Sequence, residues 1–196
     1  MPRCLALFSY SVVIHTDEEL LRRIVIGDQR AFEELFRSHY KRLCQFAFLF
    51  LHSTELSEEA VSDVFFSLWM KREQLKSIRK ISPYLYSAVR NQAIDYIRTK
   101  NVQPQENTNV YELELESSMQ AADETIEREQ LRSLIQQAID MLPEKCKMIA
   151  RMHFNDQLLY REIAEILNIS RKTVETQIAI ATAKIKETFE KFGWNK

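Results

Sequence analysis

The chain has 196 residues, 27 Lys and Arg against 28 Asp and Glu, a net charge of −1, and only two glycines, Gly27 and Gly193. Two glycines cannot build a G-x-G-x-x-G nucleotide turn or a P-loop, nor the tight hairpins of an all-β domain. This excludes most nucleotide-using enzymes and, with only four prolines, predicts an all-α fold.

In chain order, residues 1–15 read as an N-terminal extension. Arg3 precedes an apolar run from Leu5 to Ile14, broken by Ser9, Tyr10 and Ser11. That is the outline of a signal peptide, but no small-x-small cleavage site follows, and the run is too short to span a bilayer. A short helix is expected from Thr16 or Asp17 to Ile26, with Glu18 and Glu19 in its first turn, and Gly27-Asp28 as its break. A second helix is expected over 29–51, where Phe32, Leu35, Phe36, Leu43, Phe46, Ala47 and Phe50 recur at spacings of three and four. A third is expected over 55–72 with Val61, Val64, Phe65, Leu68 and Trp69 as its stripe. A fourth is expected to open at Ser82-Pro83, serine as cap and proline at the first helical position, and to run to Thr99.

Residues 101–123 lose periodicity and gain Asn, Gln, Pro, Glu and Ser, the composition of a flexible linker; a short helix over 112–119 is the alternative. Helices are then expected over 124–141, up to Pro143, and over 144–154, 160–167 and 171–192. The domain plan is therefore an extension (1–15), a helical domain (16–100), an acidic linker (101–123) and a second helical domain (124–196).

Charge follows this plan. Residues 1–100 carry 15 basic and 12 acidic side chains, residues 101–125 six acidic and none basic, and residues 126–196 12 basic and 10 acidic. Within 71–100 the ratio is eight bases to two acids. Whole-chain neutrality thus conceals two basic blocks around an acidic segment, and does not argue against a nucleic-acid partner.

Cys4, Cys44 and Cys146 are odd in number and widely spaced, so no disulfide framework is expected and a reducing cytoplasm fits. Cys44 reads as a small core residue. The four histidines show no metal-ligand spacing, no nucleophile–base arrangement can be assembled, and neither a cofactor nor an enzyme activity is expected.

The segment Tyr160-Arg-Glu-Ile-Ala-Glu-Ile-Leu-Asn-Ile-Ser-Arg-Lys-Thr-Val174 has the spacing of a helix-turn-helix. Ile163 and Leu167 are expected to face the core, and Ala164 to be small where the second helix crosses. Asn168 takes the turn position that favours positive φ, Ile169 plugs the core, and Ser170 caps the second helix, whose inner face is Val174 and Ile178. Arg171, Lys172, Thr173, Glu175 and Thr176 then point outward near the start of that helix, the end that meets base edges in the major groove. Upstream, Lys71, Arg72, Lys76, Arg79, Lys80, Arg90, Arg98 and Lys100 are interleaved with Tyr84, Tyr86 and Tyr96. Bases with stacking rings suit unpaired DNA.

Together, these two constellations resemble the sigma-70 superfamily of bacterial RNA polymerase sigma factors, in its small extracytoplasmic-function (ECF) group, which keeps only regions 2 and 4. The pattern looks like the subtype common in Bacteroidetes. Leu56-Ser-Glu-Glu-Ala-Val-Ser-Asp-Val-Phe-Phe-Ser-Leu-Trp69 is similar to region 2.2, which docks on the β′ clamp. The resemblance places the family's acidic contacts on Glu59 and Asp63, with Ser62 where glutamine is usual. Pro83-Tyr-Leu-Tyr-Ser-Ala-Val-Arg-Asn-Gln-Ala-Ile-Asp-Tyr-Ile-Arg98 resembles regions 2.3–2.4, with Arg90-Asn91, Asp95 and Arg98 matching and Tyr84 replacing a frequent tryptophan. The loop over 74–82 corresponds to the one that captures a flipped base.

The resemblance implies −10 contacts from Lys76, Arg79, Lys80, Tyr84, Tyr86, Arg90, Asn91 and Arg98, and −35 reading by the helix-turn-helix. Its implied partners are the polymerase core (β and β′ subunits), promoter DNA and a membrane-anchored anti-sigma factor, with no small-molecule substrate. Two other readings of the residues are a stand-alone helix-turn-helix regulator and a helical protein that sequesters a partner.

Overall fold

A computed structural model describes residues 17–100 and 126–192, which fall into two separate units. All regular structure among the described residues is helical.

In the first unit, α1 (Asp17–Val25) ends where Gly27 takes φ +89. The Gly27 amide donates to the Ile24 carbonyl at 2.9 Å and the Asp28 amide to that of Arg23 at 3.0 Å. This is the paired hydrogen bonding of a Schellman end. Asp28 then turns to the next helix. Its carboxylate accepts from the amides of Arg30 (2.9 Å) and Ala31 (3.2 Å) as the cap of α2 (Gln29–Leu51), and from the Arg23 side chain at 2.8 Å. Ser53 caps α3 (Thr54–Met70) by accepting from the Leu56 amide at 3.3 Å.

The third helix thus stops short of Arg72, and a 3₁₀ helix, Arg72–Ser77, follows it. The Arg72 guanidinium lies 5.1 Å from the centre of the Trp69 ring and donates to the Trp69 carbonyl at 3.2 Å. Leu75 is buried, which anchors the segment while Lys76 and Ser77 face out.

The fourth helix also departs from expectation. α4 is Ile81–Lys100, so Ser82 and Pro83 lie inside its first turn. Proline is tolerated there because the first four amides of a helix have no intrahelical acceptor. Ser82 is buried and hydrogen-bonds Nε2 of His39 on α2 at 3.2 Å. α2 packs on both α3 and α4. Ala47, Ala60 and Ala93 are fully buried and let the helices approach, and Phe46, Phe65, Leu85 and Val89 fill the space between them.

The second unit comprises α5 (Ile126–Asp140), α6 (Glu144–Phe154), α7 (Tyr160–Leu167) and α8 (Arg171–Lys191). The long α8 is the support against which the other three pack, through Val174, Ile178 and Ala181. Cys146 is buried in this unit and Cys44 in the first, as small core residues. In the helix-turn-helix, Ile163 and Ala164 are buried as expected, but Ile166, rather than Leu167, is the further buried residue of α7; Leu167 is only half-buried, as is Ile169. The expected linker over 101–123, Cys4, and the extension over 1–15 lie outside the described residues.

Candidate nucleic-acid and partner interface

The turn of the helix-turn-helix is set by Asn168, which takes φ 53, ψ 47. Its amide donates to the Glu165 carbonyl at 3.3 Å and that of Ile169 to the Ala164 carbonyl at 3.0 Å. This is the same end as at Gly27, with asparagine accepting the left-handed conformation. Ser170 follows with its side chain accepting from the Thr173 amide at 3.0 Å. The cap starts α8 sharply, and Arg171, Lys172, Thr173, Glu175 and Thr176 all lie exposed on its first turns. Arg171 pairs with Glu175 at 2.9 Å, one turn on. On the same helix Ile180 is exposed.

In the first unit α4 presents an outward face. Tyr84, Asn91 and Arg98 recur every seven residues, two helical turns, and all are exposed, Tyr84 at 40%. Arg98 lies 3.8 Å from Asp95 on the same face. Arg90 is half-buried beside it. Lys76, Arg79 and Lys80, in the segment before α4, are exposed. Of the residues named, Tyr84 carries the accessible ring and Lys76, Arg79, Lys80 and Arg98 the exposed positive charge.

Tyr86 does not belong to it. Expected among the stacking residues, it is 1% exposed and packs edge-on against Phe46 at 4.9 Å. It lies on the α2-facing side of α4 with Leu85 and Val89, so its ring has no face to offer a base. Tyr96 is likewise buried.

On α3, Glu59, Ser62 and Asp63 are exposed on one face. Asp63 accepts from the Tyr96 hydroxyl at 2.6 Å and from the Gln92 amide at 3.3 Å, so α4 holds it from behind. Burial, and then Asp63 itself, pushes the Tyr96 phenol above its ordinary range. The face continues into Phe66, 67% exposed, and Met70. These two apolar residues were not singled out from the sequence. The signal was there: Phe65 and Phe66 are adjacent on a helix, and with Phe65 in the buried stripe, Phe66 must point elsewhere.

Below the first turn of α4 sits His39. Its Nδ1 lies 3.2 Å from the Leu35 carbonyl and 2.8 Å from the Ser38 hydroxyl. Since the carbonyl can only accept, Nδ1 carries the proton, and Nε2 accepts from Ser82. Burial, reinforced by the charge of Arg42, lowers the His39 pKa to about 4.

The family Sigma-70 region 2 matches residues 35–102 and the family Sigma-70, region 4 matches residues 132–185, together more than half of the chain. The chain belongs to the sigma-70 family. Over 166 residues it is 28% identical to the ECF RNA polymerase sigma factor SigW of Bacillus subtilis (strain 168), covering 81% of this chain and 88% of that one. It is 26% identical over 170 residues to the ECF RNA polymerase sigma factor SigM of Mycobacterium tuberculosis (strain ATCC 25618 / H37Rv), covering 87% and 83%. A solved structure of CnrH in complex with the cytosolic domain of CnrY aligns with a TM-score of 0.48 and 21% identity, covering 89% of this chain and 97% of that one. This ECF sigma factor has its exposed α3 and α4 faces within the region 2 match and its helix-turn-helix within the region 4 match. No described helix is long and apolar enough to cross a membrane, and no described cluster of His, Cys, Asp or Glu suits a metal ion.

Proposed function

We propose that this ECF sigma factor directs core RNA polymerase to promoters by dividing the work between its two units, 16–100 and 124–196. The region 2 unit docks on the β′ subunit through the α3 face of Glu59, Ser62 and Asp63, extended by Phe66 and Met70. Its α4 face and the preceding segment hold the opened −10 strand: Lys76, Arg79, Lys80, Arg90 and Arg98 neutralise phosphates, Asn91 offers hydrogen bonds, and Tyr84 stacks on a base. The region 4 unit lays the start of α8 in the major groove of the −35 element, with Arg171, Lys172, Thr173, Glu175 and Thr176 at base edges and phosphates. The acidic stretch 101–123 joins the two. A chain of its 23 residues has a maximum reach of roughly 75 Å.

The observation that carries this proposal is the left-handed Asn168 with the Ser170 cap, which together project the polar start of α8 outward from a unit matching region 4. Bond-making belongs to the polymerase core; the chain supplies recognition and strand opening and is no enzyme. It acts in the cytoplasm, with a membrane-anchored anti-sigma factor as its regulator. Its motifs support a Bacteroidetes-type member.

The double substitution Arg171→Ala, Lys172→Ala tests the assignment. The variant should co-elute with core polymerase as wild type does, yet lose its preference for a promoter with an intact −35 element over one in which that element is scrambled. An unchanged preference would put duplex recognition elsewhere.

A further inference from the structure

Tyr96 faces inward on α4, 6% exposed, yet its hydroxyl is aimed at the exposed side of α3. It meets Oδ2 of Asp63 at 2.6 Å, a short bond of the charge-assisted kind. Gln92, one turn earlier on α4, donates to the same oxygen at 3.3 Å. Glu59, one turn before Asp63 on α3, also lies against the phenol. Two residues of α4 at i and i+4 thus support two acids of α3 at i and i+4. Both donors fall on Oδ2, whereas a carboxylate has two oxygens and about four lone-pair positions. Asp63 stays exposed and keeps Oδ1 for an outside donor.

An unsupported aspartate on a helix surface samples several rotamers, and ordering one of them on binding costs affinity. A donor behind the carboxylate removes that cost. The phenol is suited to the task because burial and the neighbouring acids keep it protonated, and so a donor, well above neutral pH.

We infer that Tyr96 is a positioning residue for the polymerase-docking face: its hydroxyl fixes the Asp63 carboxylate for core polymerase, so α4, the helix assigned to the −10 strand, also sets the affinity for core. This rests on the proposal that Asp63 docks on core.

The test measures core-polymerase affinity for the full chain carrying Tyr96→Phe, Asp63→Ala, or both, with urea unfolding of each. Tyr96→Phe keeps the packed ring and should weaken core binding about 3- to 10-fold, the size of one ordinary hydrogen bond. Asp63→Ala, which removes the acceptor altogether, should weaken it at least as much. In the Asp63→Ala background, Tyr96→Phe should add nothing to the loss, an outcome that general loosening of the helix pair would not give. If Tyr96→Phe fails to fold, Gln92→Leu removes the second donor from a half-buried position and should show the same dependence on Asp63 with a smaller loss. Binding by Tyr96→Phe equal to or tighter than wild type, while Asp63→Ala is weakened, would overturn the positioning role alone. So would an equal loss in both backgrounds. Wild-type affinity in Asp63→Ala would instead overturn the docking role beneath it.

Discussion

The two helices assigned to promoter DNA are held by different means. α8 begins at a turn that is almost entirely local: Asn168 in the left-handed region, Ser170 as cap, and a buried stripe of Val174, Ile178 and Ala181 behind the exposed face. α4 begins with Ser82 buried against His39 of α2, and further along its length Tyr96 and Gln92 hold Asp63 of α3. Both helices pack through apolar stripes, but α4 adds side-chain bonds of 3.2 and 2.6 Å reaching 43 and 33 residues along the chain, whereas α8 receives the weaker thiol bond from Cys146 Sγ to the Gln177 carbonyl at 3.4 Å. Disturbance should therefore stay local in the region 4 unit and spread between faces in the region 2 unit.

The largest expected difference is in acid. His39 has its pKa lowered from the usual 6.5 to about 4. Below pH 6.5 the unfolded chain takes up a proton that the folded unit refuses until about pH 4. Stability contributed by the neutral imidazole is therefore complete above pH 6.5 and lost as pH falls through that window, by on the order of 3 kcal/mol. Unfolding followed in the region 2 unit between pH 7 and 4 should show this loss relative to His39→Gln. Parallel pH profiles for the two proteins would remove His39 as its cause.

A smaller effect marks the other helix. Asn168→Val forces a β-branched side chain into φ 53 and should destabilise the region 4 unit by about 1–2 kcal/mol. Asn168→Gly should leave it close to wild type. Equal stabilities for Val and Gly in urea unfolding would mean that the turn geometry does not hold α8 in place.

The same contrast explains what could be read from sequence. The bounds of α2, α6 and α7 follow from apolar spacing and local breakers, and Asn168 is recognisable because the helix-turn-helix spacing puts it at the turn and asparagine tolerates the left-handed region; His52 and Gln157 take that region too, without such a signal. Ser82 was misplaced as a cap because its true partner is 43 residues away on α2. The 3₁₀ helix of Arg72–Ser77 has six residues with one buried apolar side chain, too little for any period to register. Tyr86 was misassigned because tyrosine serves equally in a core and on a stacking surface, and only the packing of α2 decides between them. The exposed residues of α3 and α8 were legible; that Tyr96 stands behind Asp63 was not, since it depends on the register of α3 against α4.

Promoter direction is tested most directly by transcription from fragmented genomic DNA with core polymerase alone and with this chain added, mapping every start site. The chain should create a new set of starts that share one sequence element near −10 and a second near −35, with the Arg171→Ala, Lys172→Ala variant losing the second. A start-site map identical with and without the chain would contradict its assignment as a promoter-directing subunit.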